Sequence, residues 1–178
     1  MGTGLSILLT GLPSSGKSTL ARAAAELIPG RTELLDGDEV RRLYFPELGF
    51  DRASRFENVQ RTARIAILLA HHGVVVLVPM IAPYRDARQR ARQLHIDADL
   101  PFLEVWVNTP LHECVRRDVK GLYRDARRGA ATAVTGLDDP YEEPPSPELT
   151  IDTRNRAISE CAAAIAACAI GRLAISGR

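Results

Sequence analysis

An α/β fold, built on a five-stranded parallel sheet with helices on both faces, is what the 178-residue sequence predicts. Short apolar runs alternate with segments of helical periodicity along the chain, the pattern of a doubly wound parallel sheet. The first apolar run leads directly into a glycine-rich turn and then a helix-compatible stretch, a strand–loop–helix unit. A later run, Val74 to Val78 (VVVLV), is apolar throughout, as a central strand covered on both faces must be. The length suits one domain, 1–178, with a full core and no second unit of ordinary size.

In chain order, Ser6 to Leu9 reads as the first strand and Leu20 to Leu27 as the helix after it, ending at the stop signals Pro29-Gly30. Between them lie Gly11, four residues, and Gly16-Lys17-Ser18, the spacing of a phosphate-binding P-loop. Gly11 and Gly16 let the backbone curl until its N–H groups meet phosphate oxygens, and the helix aims its positive end at the same point. Lys17 would reach the β and γ phosphates of a nucleoside triphosphate, and the Ser18 hydroxyl would ligate Mg²⁺. Thr32 to Leu35 is a second strand running into Asp36-Gly37-Asp38, two carboxylates at the strand end where open α/β sheets place ligands.

Arg41 falls on a short helix, and 43–50, with Pro46 and Gly49, reads as irregular. From Arg55 to His72 apolar residues recur at helical spacing, and Arg55 and Asn58 share one face at i and i+3. After the strand 74–78, Pro79 and Pro83 enforce a loop. The helix Asp86 to Leu94 follows, with arginines at 85, 88, 90 and 92 that read mostly as solvent-facing. Phe102 to Val107 is the fourth strand, with Trp106 expected inside, and Leu111 to Asp118 is a helix. The basic run Lys120 to Arg128 (KGLYRDARR) reads either as a lid closing over phosphates or as a solvated basic helix. The stretch 129–147 is a long ordered loop, Leu149 to Asp152 a fifth strand, and Asn155 to Leu173 an Ala-rich final helix.

Composition narrows the classes. A net charge of +1 gives no general attraction to nucleic acid or membrane, so anion binding has to come from local arginines. Cys114, Cys161 and Cys168 lack metal-ligand spacing and read as reduced, buried small residues. No run approaches the ~18 or more apolar residues needed to span a bilayer, and no signal-peptide pattern opens the chain, so a cytoplasmic protein is expected.

The ordered motifs GLPSSGKST, LDGDEVR (35–41), LGF (48–50), SRFENVQR (54–61), IAPYRDAR (81–88), NTPLHECVRRDVKGLYRDAR (108–127), TGLDDPYEEP (135–144) and PEL (147–149) resemble the adenylylsulfate kinase family within the P-loop kinases. That resemblance implies phosphorylation of the ribose 3′-hydroxyl of adenosine 5′-phosphosulfate (APS) by ATP with Mg²⁺. It implies a nucleotide cradle of Gly11, Leu12, Pro13, Ser14, Ser15, Gly16, Lys17, Ser18 and Thr19, with Arg117 against the ATP adenine. Asp38 would orient or deprotonate the acceptor hydroxyl beside Lys17, and Asp36 with Ser18 would stand at the metal. Arg41, Arg55, Asn58, the backbone at Ile81 and Ala82, and Lys120 would hold the acceptor, with Phe50 stacking on its adenine and Val134 facing it. The resemblance further implies a basic lid at about 119–147, a homodimer, and a sulfate adenylyltransferase in the same pathway.

Three positions depart from the family pattern. Ala82 stands where serine is common, so a phosphoenzyme there is chemically impossible and direct in-line transfer remains. Val134 replaces a frequent phenylalanine and Met80 an aromatic, which implies a looser acceptor pocket. Two alternatives stay open: a P-loop kinase acting on another small-molecule hydroxyl, and a nucleotide-binding subunit without catalysis.

Overall fold

The computed structural model describes residues 4–130 and 134–176. The first strand, β1 (Leu5–Thr10), is followed by α1 (Lys17–Ala25), β2 (Thr32–Leu34), α2 (Gly37–Tyr44), α3 (Arg52–His71) and β3 (Val75–Pro79). Then come α4 (Arg85–Asp97), β4 (Phe102–Val107), α5 (Leu111–Arg117), α6 (Leu122–Arg127), β5 (Leu149–Ile151) and α7 (Ile158–Ser176). The strands form one sheet in the order β2-β3-β1-β4-β5, every pairing parallel. The predicted α/β class and five-stranded sheet are both present.

Alternation along the central strands divides the core in two. Leu5, Ile7 and Leu9 of β1, with Val75 and Leu77 of β3, pack against Leu20, Ala21 and Ala24 of α1 and Cys161, Ala162, Ile165 and Ala169 of α7. Leu8, Val76 and Val78 point the other way, onto Val59, Ala63 and Ala66 of α3 and Ala87 and Ala91 of α4. A strand buried on both faces has no polar side to present, which is why VVVLV carries no alternation in polarity. Aspartates set the helix starts: Asp36 accepts from the Asp38 amide at the head of α2, and Asp51 from the Ser54 amide at the head of α3.

Four readings need correction. Arg88 is not solvent-facing but 2% exposed, because Glu104 of β4 pairs with it inside the fold. Trp106 is half-buried rather than inside, while its neighbours Val105 and Val107 fill the core. The irregular segment starts later than expected, because α2 runs on through Tyr44. Finally, α7 is long and apolar enough by length and composition to cross a membrane, with a mean hydropathy of 1.7 over Ile158–Ile175. Glu160 and Arg172 interrupt the run without cancelling its average, and its buried stripe faces α1. The expected lid at 119–147 includes 131–133, which lie outside the described residues.

Candidate active site

The loop after β1 is shaped by its two glycines. Gly16 has φ +103° at the head of α1, and a Cβ on Gly11 would stand 2.5 Å from the Val107 carbonyl oxygen. The loop closes around Lys17, whose Nζ donates to the Gly11 carbonyl at 3.0 Å, the Leu12 carbonyl at 2.7 Å and Ser15 Oγ at 3.4 Å. Lys17 is 8% exposed. Burial pushes its ammonium down to about 8, although the Asp38 carboxylate pulls in the opposite direction. A buried cation held only by neutral oxygens is primed for an anionic ligand.

From the next residue, Ser18 Oγ donates to Asp36 Oδ2 at 2.6 Å, tying the loop to the turn at the end of β2. A hydroxyl and a carboxylate side by side are hard oxygen donors suited to Mg²⁺, which takes few protein ligands when phosphates supply the rest. Asp38 sits two residues on and pairs with Lys120 from the segment before α6. Burial lowers the Lys120 ammonium, but its bond to Asp38 and the charges of Asp38 and Asp36 outweigh this and raise it.

Beyond Asp38 opens a cavity of about 650 Å³. All nine residues expected to hold an acceptor line it: Asp38, Arg41, Phe50, Arg55, Asn58, Ile81, Ala82, Lys120 and Val134. Arg41 donates to the Gly49 carbonyl and lies 4.6 Å from the Phe50 ring centre. Burial and the charge of Arg55 lower the Arg41 guanidinium, while the Asp38 and Asp51 carboxylates resist. Arg55 donates from Nε to the Phe50 carbonyl at 2.6 Å and from Nη1 to Thr135 Oγ1 at 3.1 Å. Asn58 spends its amide on the Gly37 carbonyl at 3.4 Å, while its Oδ1 is buried without a partner among the described residues. Phe50 is 62% exposed, so its ring is available to stack.

Arg117 does not line that cavity and stands instead near Gly16 of the loop. It donates to Thr153 Oγ1 at 3.0 Å and pairs with Glu113 at 2.9 Å, with the Ser15 carbonyl at 3.4 Å. Sequence reasoning missed four contributors. Tyr123, buried in α6, donates to the Pro13 carbonyl at 3.1 Å and so anchors the basic segment on the loop. Thr135 and Asp139 brace Arg55, and Tyr84 donates to Asp139 Oδ1 at 2.8 Å. Their only signal was membership of the motifs IAPYRDAR, KGLYRDAR and TGLDDPYEEP, which does not reveal what they touch.

The profile of the adenylylsulphate kinase family matches residues 3–152. An adenylyl-sulfate kinase of Synechococcus sp. (strain JA-3-3Ab) is 47% identical over 161 residues, 89% of each chain. That of Geotalea uraniireducens is 45% identical over 177 residues, 98% of this chain and 84% of its own. Among solved structures, the Mycobacterium tuberculosis APS kinase in complex with AMPPNP and APS superposes with a TM-score of 0.90 at 40% identity, covering 94% of this chain and 98% of that one. The chain therefore belongs to the adenylylsulphate kinase family.

Proposed function

We propose that the chain transfers the γ-phosphoryl group of ATP to the 3′-hydroxyl of APS, giving 3′-phosphoadenosine 5′-phosphosulfate and ADP. One contact supports this most directly: the Ser18 to Asp36 hydrogen bond of 2.6 Å, which joins the phosphate loop to the turn carrying Asp38 at the cavity mouth. The acceptor oxygen bonds to the γ-phosphorus as the β–γ bridging bond breaks, and ADP leaves with that bridging oxygen. Asp38 orients the hydroxyl and takes its proton, while Lys17 and the loop amides offset charge on the phosphates.

Ser18 and Asp36 would hold Mg²⁺, which when bound neutralises charge on the phosphate oxygens. Arg41, Arg55, Asn58 and Lys120 hold the anionic acceptor, Phe50 stacks on its base, and Val134 supplies an apolar face. Arg117, beside Ser15 and outside the cavity, packs on the ATP adenine. The whole chain acts as one kinase unit with the basic segment at about 119–147 as its lid, Tyr123 serving as hinge pin. With all nine expected acceptor residues on one cavity, another hydroxyl acceptor is not favoured. We place the enzyme in the cytoplasm of a sulfate-assimilating cell, supplied by a sulfate adenylyltransferase; three free cysteines suit a reducing compartment. Exposed Ile158, Ile170 and Ile175 on α7 offer apolar surface for a homodimer.

The test is ADP release by the purified protein with ATP, Mg²⁺ and APS. Turnover that depends on APS is expected, and Asp38→Asn should lower kcat by roughly 10²–10⁴-fold, the span of a lost general base, while AMPPNP still binds. ADP release that ignores APS would remove the proposal.

A further inference from the structure

The cavity wall at 81–83 is held in a shape its residues do not favour. Ala82 has φ +42°, the left-handed region that a residue with a Cβ avoids, so its surroundings must impose that conformation. Much of the imposing falls to one side chain. Arg88 of α4 donates from Nη1 to the Ala82 carbonyl at 2.7 Å, from Nη2 to the Glu142 carbonyl at 2.5 Å, and from Nε to Glu104 Oε1 of β4 at 2.7 Å. The segment it grips at Glu142 is itself strapped to the wall, because the Glu142 amide donates to the Pro83 carbonyl at 2.8 Å. Thr10 Oγ1 completes the clamp, donating to the Ile81 carbonyl at 2.6 Å and meeting the Tyr141 hydroxyl at 3.0 Å. The Ala82 amide points opposite the Ile81 carbonyl across their trans peptide, and it has no acceptor among the described residues.

A buried ion pair is weak evidence for stability, since desolvation cancels much of its attraction. Three acceptors on three separate segments are another matter, because they require a planar fork of donors, which guanidinium has and ammonium lacks. We propose that Arg88 is a positioning residue for the acceptor nucleotide: through the Ala82 and Glu142 carbonyls it fixes the wall against which that nucleotide binds, without touching it or the reacting atoms. The proposal rests on the acceptor reading given above. None of Arg88's three hydrogen-bond partners belongs to the 11–19 loop or is Arg117, so none of its hydrogen bonds reaches the nucleotide cradle directly.

Calorimetric binding to the intact protein tests this, with AMPPNP alone and with APS added to the AMPPNP-saturated protein, for wild type, Arg88→Met and Arg88→Lys. Arg88→Met is expected to weaken APS binding by about tenfold or more, since misplacement of about 1 Å in a positioning element costs up to about 10²-fold, while AMPPNP stays within about twofold. Arg88→Lys keeps the charge opposite Glu104 without reaching both carbonyls, so it should recover part of the loss. If Arg88→Met does not fold, Arg88→Lys must by itself weaken APS more than AMPPNP. Equal weakening of both ligands, which a merely structural role gives, or unchanged APS binding overturns the proposal. A wild-type protein that binds APS yet releases no ADP removes only the activity reading, and the Arg88 comparison still stands on binding; one that does not bind APS removes both.

Discussion

At the scale of single residues, Lys17 couples the phosphate loop to solvent pH. Burial, opposed chiefly by Asp38, leaves its ammonium at about 8 in the unliganded protein. A bound polyphosphate would stabilise the charged form and raise that value. Above pH ~8 the free protein has therefore lost a proton that the complex keeps, so nucleotide binding takes one up and affinity falls as pH rises; well below 8 Lys17 contributes no pH dependence. For folding the sign is separate: between about 8 and 10.5 the unfolded chain binds the extra proton, so this group's contribution to stability rises with pH across that window. Calorimetry with AMPPNP at about pH 9, in two buffers of different ionisation enthalpy, should give heats that differ by up to one proton's worth. The difference should vanish in Lys17→Met, and equal heats for the wild type would sink the idea.

Among the elements, α6 has a narrow base. Six residues long, it relies on Asp118, whose two carboxylate oxygens accept from the Tyr123 amide at 3.2 Å and the Arg124 amide at 2.9 Å. Those amides belong to the first turn and have no helical partner, so the carboxylate does the work of an N-cap from four residues upstream. Two further anchors, Tyr123 to Pro13 and the Val119 amide to Ser14 Oγ at 3.3 Å, end on the phosphate loop. Asp118→Ala should cost about 1 kcal/mol, the usual loss for a removed cap, and should speed tryptic cleavage at Arg124 and Arg127. Bound AMPPNP should slow that cleavage in the wild type. Digestion followed by mass spectrometry reads both, and an unchanged cleavage rate in the variant would mean the cap is not what holds the segment. The sequence already showed the basic run here; it could not show what holds the segment, because one of its anchors lies 110 residues away at Pro13.

For the whole molecule, what was legible in the sequence was whatever local pattern dictates. The glycine spacing at 11–18, the apolar strands and the Asp36-Gly37-Asp38 turn each carry their reason within a few residues. Arg88 looked like its neighbours at 85, 90 and 92, and only its burial and its bonds to the Ala82 and Glu142 carbonyls distinguish it. His95, on the same helix, was equally silent. It is 1% exposed, its Nδ1 lies 2.8 Å from the Ala91 carbonyl, and its ring stands 4.8 Å from that of Phe102. Its Nε2, like Ser6 Oγ beside the same small void, has no partner among the described residues. Burial lowers this imidazole, the Ala91 carbonyl resists, and the charge of Arg92 lowers it further. The fold thus favours the neutral ring, with Nδ1–H donating to Ala91. In the unfolded chain it titrates near 6.5 and in the fold lower, so as pH falls from about 6.5 toward the folded value the unfolded state binds more protons and stability declines; well above 6.5 the group contributes no slope. Urea unfolding between about pH 5 and 7 should show stability rising with pH, in a range above that of the carboxylates held low by their partners, Glu148 and Asp152. His95→Phe should flatten that rise, because a ring of similar bulk that cannot accept a proton takes its place against Phe102. Parallel slopes for wild type and variant would show that another group carries the dependence.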